Sequence, residues 1–330
     1  MLAGNPLYES ILAPLSVHYG DPSTVEIRMS RPHRVVADRR GEGKRVIEDG
    51  GLSQGVVEKI ARSLGNAAGL AFDGDTSPKL SCILPGGHRF EALVGPSVRT
   101  GGVSLAIRCK HPFVPAWEHL GATPAIRDYL IEAARSEQNL VIAGSTNTGK
   151  TTLLNMLLAE LEEDRRVVAV EDTPELDIER FWDGVGLIAA REDGTGSGMM
   201  DWRQLYDHMM RITPDNIVFG EISTQNAFAA LAALNSGVTG FRMTIHAESP
   251  EQAIHRKFEQ NIAWSGQSMP RVPEFLVDLV DVVVQIKRDA DGYRRISDIW
   301  EPRRGRWVLK DGYEVSAATV PTSLSAGTKP

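Results

Sequence analysis

The segment Gly144-Ser145-Thr146-Asn147-Thr148-Gly149-Lys150-Thr151 has the spacing of a Walker A phosphate loop. Its glycines let the backbone wrap so that successive N–H groups point inward at phosphate oxygens. Lys150 is placed to reach β- and γ-phosphates, and the Thr151 hydroxyl to bind Mg²⁺. A helix starting at this point, with Thr152 in its first turn, adds its positive dipole end. The chemistry indicated is binding of ATP. Hydrolysis needs more: a metal holder and a group that orients water. Glu171 and Asp172, with Glu175 close behind, follow the apolar run Val167–Val170, and Glu221 follows Ile217–Gly220. Either acid alone reads first as a solvated turn or a helix cap. Two acid-tipped strands behind one phosphate loop point instead to a shared catalytic edge. His246 ends the run Arg242–Ile245. It fits two roles, a structural hydrogen-bonding partner or a sensor of the γ-phosphate.

The elements that must carry these residues are legible as apolar runs. Asn139–Ala143 precedes the loop, and a helix with Leu153, Leu154, Leu157, Leu158 and Leu161 on one face follows it. Arg166–Val170, Ile217–Phe219, Arg242–Ile245 and Val282–Ile286 read as further buried strands, with helical segments between some of them. That alternation predicts an α/β domain with a largely parallel sheet. Asp291-Gly292 predicts a late hairpin. Residues 1 to about 113 differ. Turn signals such as Asp21-Pro22, Gly41-Glu42-Gly43 and Pro85-Gly86-Gly87 bracket short strand-like runs, Val25–Met29 and Val103–Ile107 among them. Ser53 caps a predicted helix carrying Val56, Val57, Ile60, Ala61 and Leu64. This half is a smaller α+β domain, joined through a linker over 114–123 to the domain spanning 124–315. A Ser-, Thr- and Pro-rich tail, 316–330, is expected to be disordered.

Composition narrows the function class. At 330 residues two domains are expected, and 42% hydrophobic with 24% charged residues excludes wholesale disorder. A net charge of −7 argues against a dedicated duplex-DNA binder, so no direct sequence-specific nucleic-acid binding is expected. Cys82 and Cys109 cannot form a disulfide framework and lack the neighbours of a zinc site. The first residues lack the build of a secretory signal, and the longest apolar run, Ala227–Leu234, is far short of the ~20 residues that cross a bilayer. A cytoplasmic protein is expected, with peripheral docking at a membrane left open.

Taken together the motifs resemble the secretion-superfamily traffic ATPases, in particular the hexameric ATPases of type IV secretion and conjugative DNA transfer, over nearly the whole chain. Asp21–Pro32, Leu84–Arg89 and Val103–Arg108 look like the strands and hairpins of that family's first domain. Val170–Leu176 is similar to its Asp box, Arg211–Glu221 to its Walker B region, and Leu234–Gly240 through Thr244–Ala247 to its His box. The resemblance implies a RecA-like P-loop domain preceded by the smaller domain, in a homohexameric ring at the inner membrane. Its partners would be inner-membrane components of a secretion or conjugation machine. ATP would lie between the domains, with Arg108, and in second place Arg99, contributed by the first. It further implies Glu171 as the carboxylate polarising water and Glu221 as support for Mg²⁺, roles that are exchangeable, and an Arg211 that reaches across a subunit or domain boundary.

Three positions depart from the family pattern. Ser223 and Thr213 stand where arginine is usual, and Val238 where histidine is common. Fewer cationic groups near developing phosphate charge predict slower turnover with ATP binding intact. A nucleotide-dependent docking or assembly subunit is therefore the second reading. A DNA-dependent RecA-like enzyme is the third, and Arg303, Arg304 and Arg306 read more simply as a solvated hairpin turn.

Overall fold

The computed structural model describes residues 6–40, 42–110, 115–190, 200–289 and 292–315. The chain divides into two compact units, Met1–Val114 and Pro115–Pro330. The expected tail 316–330 lies outside the described residues, as do positions 111–113, position 114 at the start of the linker, and Asp291 of the late hairpin.

In the first unit α1 (Pro6–Tyr19) leads into β1 (Thr24–Arg31), β2 (Arg34–Arg39) and β3 (Gly43–Glu48). The helix α2 (Gln54–Ala68) follows, and then β4 (Lys79–Ile83), β5 (Arg89–Val94) and β6 (Val103–Arg108). The six strands form one antiparallel sheet in the order β3-β2-β1-β6-β5-β4. Ser53 begins α2 as its sequence predicts, accepting a hydrogen bond from the Val56 amide, and Gly69 ends it in the left-handed region at φ 67°. Val57, Ile60, Ala61 and Leu64 recur at helical spacing and are buried with Leu12 and Leu15 of α1 and with the inward residues of the strands. Truncating Leu64 to Ala would cost about 2–5 kcal/mol by opening a cavity in this core.

The second unit is built on a nine-stranded sheet. Its elements are α3 (Pro124–Arg135), β7 (Leu140–Gly144), α4 (Lys150–Leu158), β8 (Val167–Glu171), β9 (Val185–Ile188), α5 (Trp202–Met209), β10 (Asn216–Ile222), α6 (Ala227–Leu234) and β11 (Arg242–Ile245). A helical run continues through α7 (Pro250–Gln252), a π-helical turn over Ala253–Lys257, α8 (Phe258–Trp264) and α9 (Val272–Leu279). The chain closes with β12 (Val282–Arg288), β13 (Arg294–Glu301), β14 (Arg306–Lys310) and β15 (Tyr313–Glu314). The strand order is β15-β14-β13-β12-β7-β11-β10-β8-β9. From β12 to β9 every pairing is parallel, and from β12 outward the other way every pairing is antiparallel.

The parallel strands read as largely apolar runs because both faces are covered. In β7, Val141 and Ala143 enter one core, while Leu140 and Ile142 enter the other. The late hairpin is present as the β12–β13 pair. The helix after the loop ends at Leu158, three residues sooner than the leucine pattern suggests, and Leu161 is buried in the turn beyond it. Ala227–Leu234 is an eight-residue helix, and among the described residues no helix is long and apolar enough to cross a membrane.

Candidate nucleotide site

Parallel strands present their C-terminal ends along one edge, and in an open α/β sheet that edge is where ligands bind. Running outward from β7 the edge carries the phosphate loop, then His246 after β11, Glu221 on β10 and Glu171 on β8. At about 4.8 Å per strand, β8 stands about 14 Å from β7.

The loop is shaped by close approach. A Cβ on Gly144 would lie 2.6 Å from both the Ile286 carbonyl oxygen and Thr148 Oγ1, so no larger residue fits there. Asn147 and Gly149 turn the chain in the left-handed region at φ 60° and 97°. Thr148, buried, donates from Oγ1 to the Ser145 carbonyl at 3.0 Å. Gly149 caps α4 without a side-chain bond, so the first-turn donors, those of Thr151 and Thr152 among them, meet no capping side chain. Ser145 and Thr146 are exposed at the loop's crest.

Lys150 is buried, and its ammonium donates to the Ser145 carbonyl at 3.1 Å and to His246 Nδ1 at 3.2 Å. On its other side His246 Nε2 meets Glu221 Oε1 at 2.8 Å. These partners assign the ring: Nδ1 accepts from the lysine, so Nε2 carries the proton and donates to the carboxylate. The structure therefore links Lys150, His246 and Glu221 in one chain of hydrogen bonds. Thr244 Oγ1 donates to the Gly220 carbonyl at 2.6 Å and holds β11 against β10 beneath that chain.

Glu171 has a different setting. It is 6% exposed, and its carboxylate accepts from the Glu175 amide at 3.1 Å and from the Leu176 amide at 3.1 Å. Burial pushes its pKa up to about 7, against the pull of those two amides, and the nearby acids Glu175 and Asp172 add to the rise. It packs against Gly220, where a Cβ would lie 2.9 Å from its Cγ. The loop that covers it is tied to α4 by Asn155. That side chain donates from Nδ2 to the Glu175 carbonyl at 2.9 Å and accepts at Oδ1 from the Asp177 amide at 3.0 Å.

The donors offered to a metal are oxygens, the Thr151 hydroxyl and the Glu221 carboxylate, a set that suits a hard cation. Among the described residues no three His, Cys, Asp or Glu side chains gather into a cage. Mg²⁺ carried on phosphates needs only one or two protein donors, so this set fits it.

The other sequence candidates lie on different elements. Arg211 follows α5 and precedes the start of β10, whose seven residues put about 20 Å between it and the Glu221 end. In the first unit Arg99 is exposed in the turn before β6, while Arg108 is half-buried at the far end of that strand, opposite Glu26 and Arg89. Arg303, Arg304 and Arg306 hold structure. Arg303 donates to the Asp278 carbonyl, and the other two surround the buried Glu301 carboxylate, which also accepts from Tyr129 at 2.8 Å. Ser223 forms a plain helix entry, its amide donating to Asn226 Oδ1 at 2.8 Å.

Three residues near the loop escaped the sequence reading. Arg294 on β13 donates from Nε to the Asn147 carbonyl at 3.2 Å and from Nη2 to Asn147 Oδ1 at 3.1 Å. Gln285 on β12 donates to the Ala247 carbonyl, beside His246, at 3.1 Å. Asn155 is the third. Gln285 and Asn155 had a signal, since each interrupts an apolar run. Arg294 had none, because its place depends on strand order.

A family model for type II/IV secretion system proteins matches residues 93–264. The conjugal transfer protein TrbB of Rhizobium radiobacter is 31% identical, covering 89% of this chain and 88% of its own. The type IV secretion system protein VirB11 of Bartonella quintana (strain Toulouse) is 27% identical, covering 88% of this chain and 91% of its own. The X-ray structure of the Legionella pneumophila ATPase DotB is similar in fold, with a TM-score of 0.56 and 16% identity over 91% of this chain and 82% of that one.

Proposed function

The chain belongs to the type II/IV secretion system protein family, and from that premise we propose that it is a Mg²⁺-dependent traffic ATPase of type IV secretion or conjugation. It works as a homohexamer at the cytoplasmic side of the inner membrane, driving substrate export, DNA transfer or assembly. The observation that carries this reading is the hydrogen-bonded chain Lys150–His246–Glu221 above the phosphate loop. Lys150 is held by a carbonyl oxygen and an imidazole nitrogen, neutral acceptors that a phosphate oxygen displaces with a stronger charge-assisted bond. His246 then senses whether the γ-phosphate is in place, since losing it returns the lysine to the ring.

Glu171 polarises the attacking water. Its pKa of about 7 matches a general base to neutral pH. Thr151 and Glu221 would hold Mg²⁺, which would supply positive charge to offset that of the β- and γ-phosphates. Arg108 adds to nucleotide affinity, and Arg99 is the second candidate from the same unit; unchanged affinity in Arg108→Ala removes it from the site. Arg211 acts outside its own phosphate loop, on a neighbouring copy in the ring.

Phosphate release and solution mass, measured on one sample with and without ATP and Mg²⁺, test the whole reading. Turnover that vanishes in Lys150→Ala, together with a sixfold mass, supports it; a full-length chain with no affinity for ATP ends it. One observation favours a second reading, a docking or assembly subunit with little turnover. The Ser223 turn supplies no cation where the family usually has arginine. Tight ATP binding without phosphate release would select that reading.

A further inference from the structure

The geometry points to Arg294 as a positioning residue that straps the phosphate loop into its binding shape. This rests on the proposed reading that the loop binds ATP. The loop changes direction at Asn147 and Gly149, the two positions with left-handed backbone. Arg294 touches both. Its guanidinium donates to the carbonyl and to the side-chain oxygen of Asn147 at 3.2 and 3.1 Å, and its Cδ lies 3.2 Å from where a Cβ on Gly149 would stand. Asparagine tolerates a left-handed conformation better than most residues but does not enforce it. A two-point, charge-assisted grip on its carbonyl and its amide oxygen selects that conformer.

The strap has a firm base. Arg294 is half-buried at the start of β13, in register with Arg288 of β12, and β12 pairs directly with β7. The Ile286 carbonyl of β12 stands against Gly144 at the loop's other end. One hairpin thus fixes both ends of the loop, and Gln285 from the same hairpin holds the segment after His246. The loop's donors are pre-arranged before nucleotide arrives, so the cost of ordering them does not fall on binding. Arg294 therefore sets affinity for ATP rather than the chemical step.

The experiment compares the full-length protein with Arg294→Ala, Arg294→Lys and Arg295→Ala, the last an exposed neighbour paired with Asp289. Affinity for ATP–Mg²⁺ is titrated with a fluorescent ATP analogue, kcat is read from phosphate release, and amide exchange over residues 144–150 is followed without nucleotide. Arg294→Ala is expected to weaken ATP affinity about tenfold with kcat within about threefold, and Arg294→Lys to recover part of the loss. Arg295→Ala leaves both unchanged. In an Asn147→Gly background, where the side-chain contact is gone, Arg294→Ala is expected to cost less than about threefold, because coupled partners are not additive. Unchanged affinity in Arg294→Ala, a fall in kcat alone, or the same loss in both backgrounds overturns the proposal. Amide exchange separates it from the nucleotide reading. Faster exchange in Arg294→Ala supports the strap even if the unaltered protein binds no ATP, and unaltered exchange refutes it.

Discussion

The parallel strands of the second unit are treated differently at their two ends. Where they begin, polar groups are consumed by the fold. Arg242 is fully buried at the start of β11 and donates to the Gly240 and Ala134 carbonyls, both at 2.6 Å. Burial lowers its pKa to about 10, with Glu137 opposing the fall, so it stays charged at neutral pH. Glu137 in turn takes Arg165 and Thr239, and Arg166 binds Asp183 and the Ile212 carbonyl. Where the same strands end, Glu221 and His246 are open to solvent, and α4 starts without a side-chain cap. A charge locked onto backbone carbonyls inside the core stabilises structure. A charge held by exchangeable partners at an open edge can be handed to a ligand.

The sharpest way to break this contrast is Arg242→Ala. It should lose about 3–5 kcal/mol of stability, because a cavity opens and two buried carbonyls lose a charged donor. Differential scanning calorimetry checks it; a melting temperature near that of the unaltered protein would mean the strand beginnings are not structural locks. Lys150→Ala should do the opposite, cutting turnover by about 10²–10³-fold with little change in melting temperature. Phosphate release and a melt on the same preparation decide this.

Glu171→Gln tests the contrast along the C-terminal edge itself. It should keep ATP and lose hydrolysis. The folded carboxyl titrates near 7 against an ordinary value of 4.5, so the native state holds more protons than the unfolded chain between those values. The protonated form's contribution to stability is complete below about pH 4.5 and is lost as pH rises through 7. Glutamine cannot ionise, so without nucleotide the variant should match the parent near pH 5 and exceed it by about 2–3 kcal/mol at pH 8. Equal denaturant midpoints at both pH values would remove the buried-acid assignment. The smallest effect is expected from Arg304→Ala, whose exposed guanidinium reaches the buried Glu301 carboxylate at 3.4 Å while Arg306 and Tyr129 remain its partners. Less than about 1 kcal/mol should be lost.

Much of this was legible in the chain itself. The runs at Ile217–Phe219, Arg242–Ile245 and Val282–Ile286 fall within strands, and Arg166–Val170 does so from Val167 onward, since a strand covered on both faces is apolar over most of its length. The strand β9 was not legible, because Val185–Ile188 is short and half-exposed. Nor was α1, which carries Pro14 inside it. The candidate acids and His246 were found as types at strand ends, but their difference was not. Nothing in the local sequence says that Glu171 is covered by its own loop while Glu221 faces solvent beside His246.

The phosphate loop, its lysine, the apolar strands behind it and the acids at their tips are written locally in the chain. Each of these is a local pattern, imposed by backbone sterics or by burial on two faces. The tertiary structure alone decided that Lys150 reaches His246, that β8 stands three strands from the loop, and that a hairpin more than a hundred residues later straps Asn147. Those contacts follow from strand order, which long-range packing selects and no short stretch of sequence encodes.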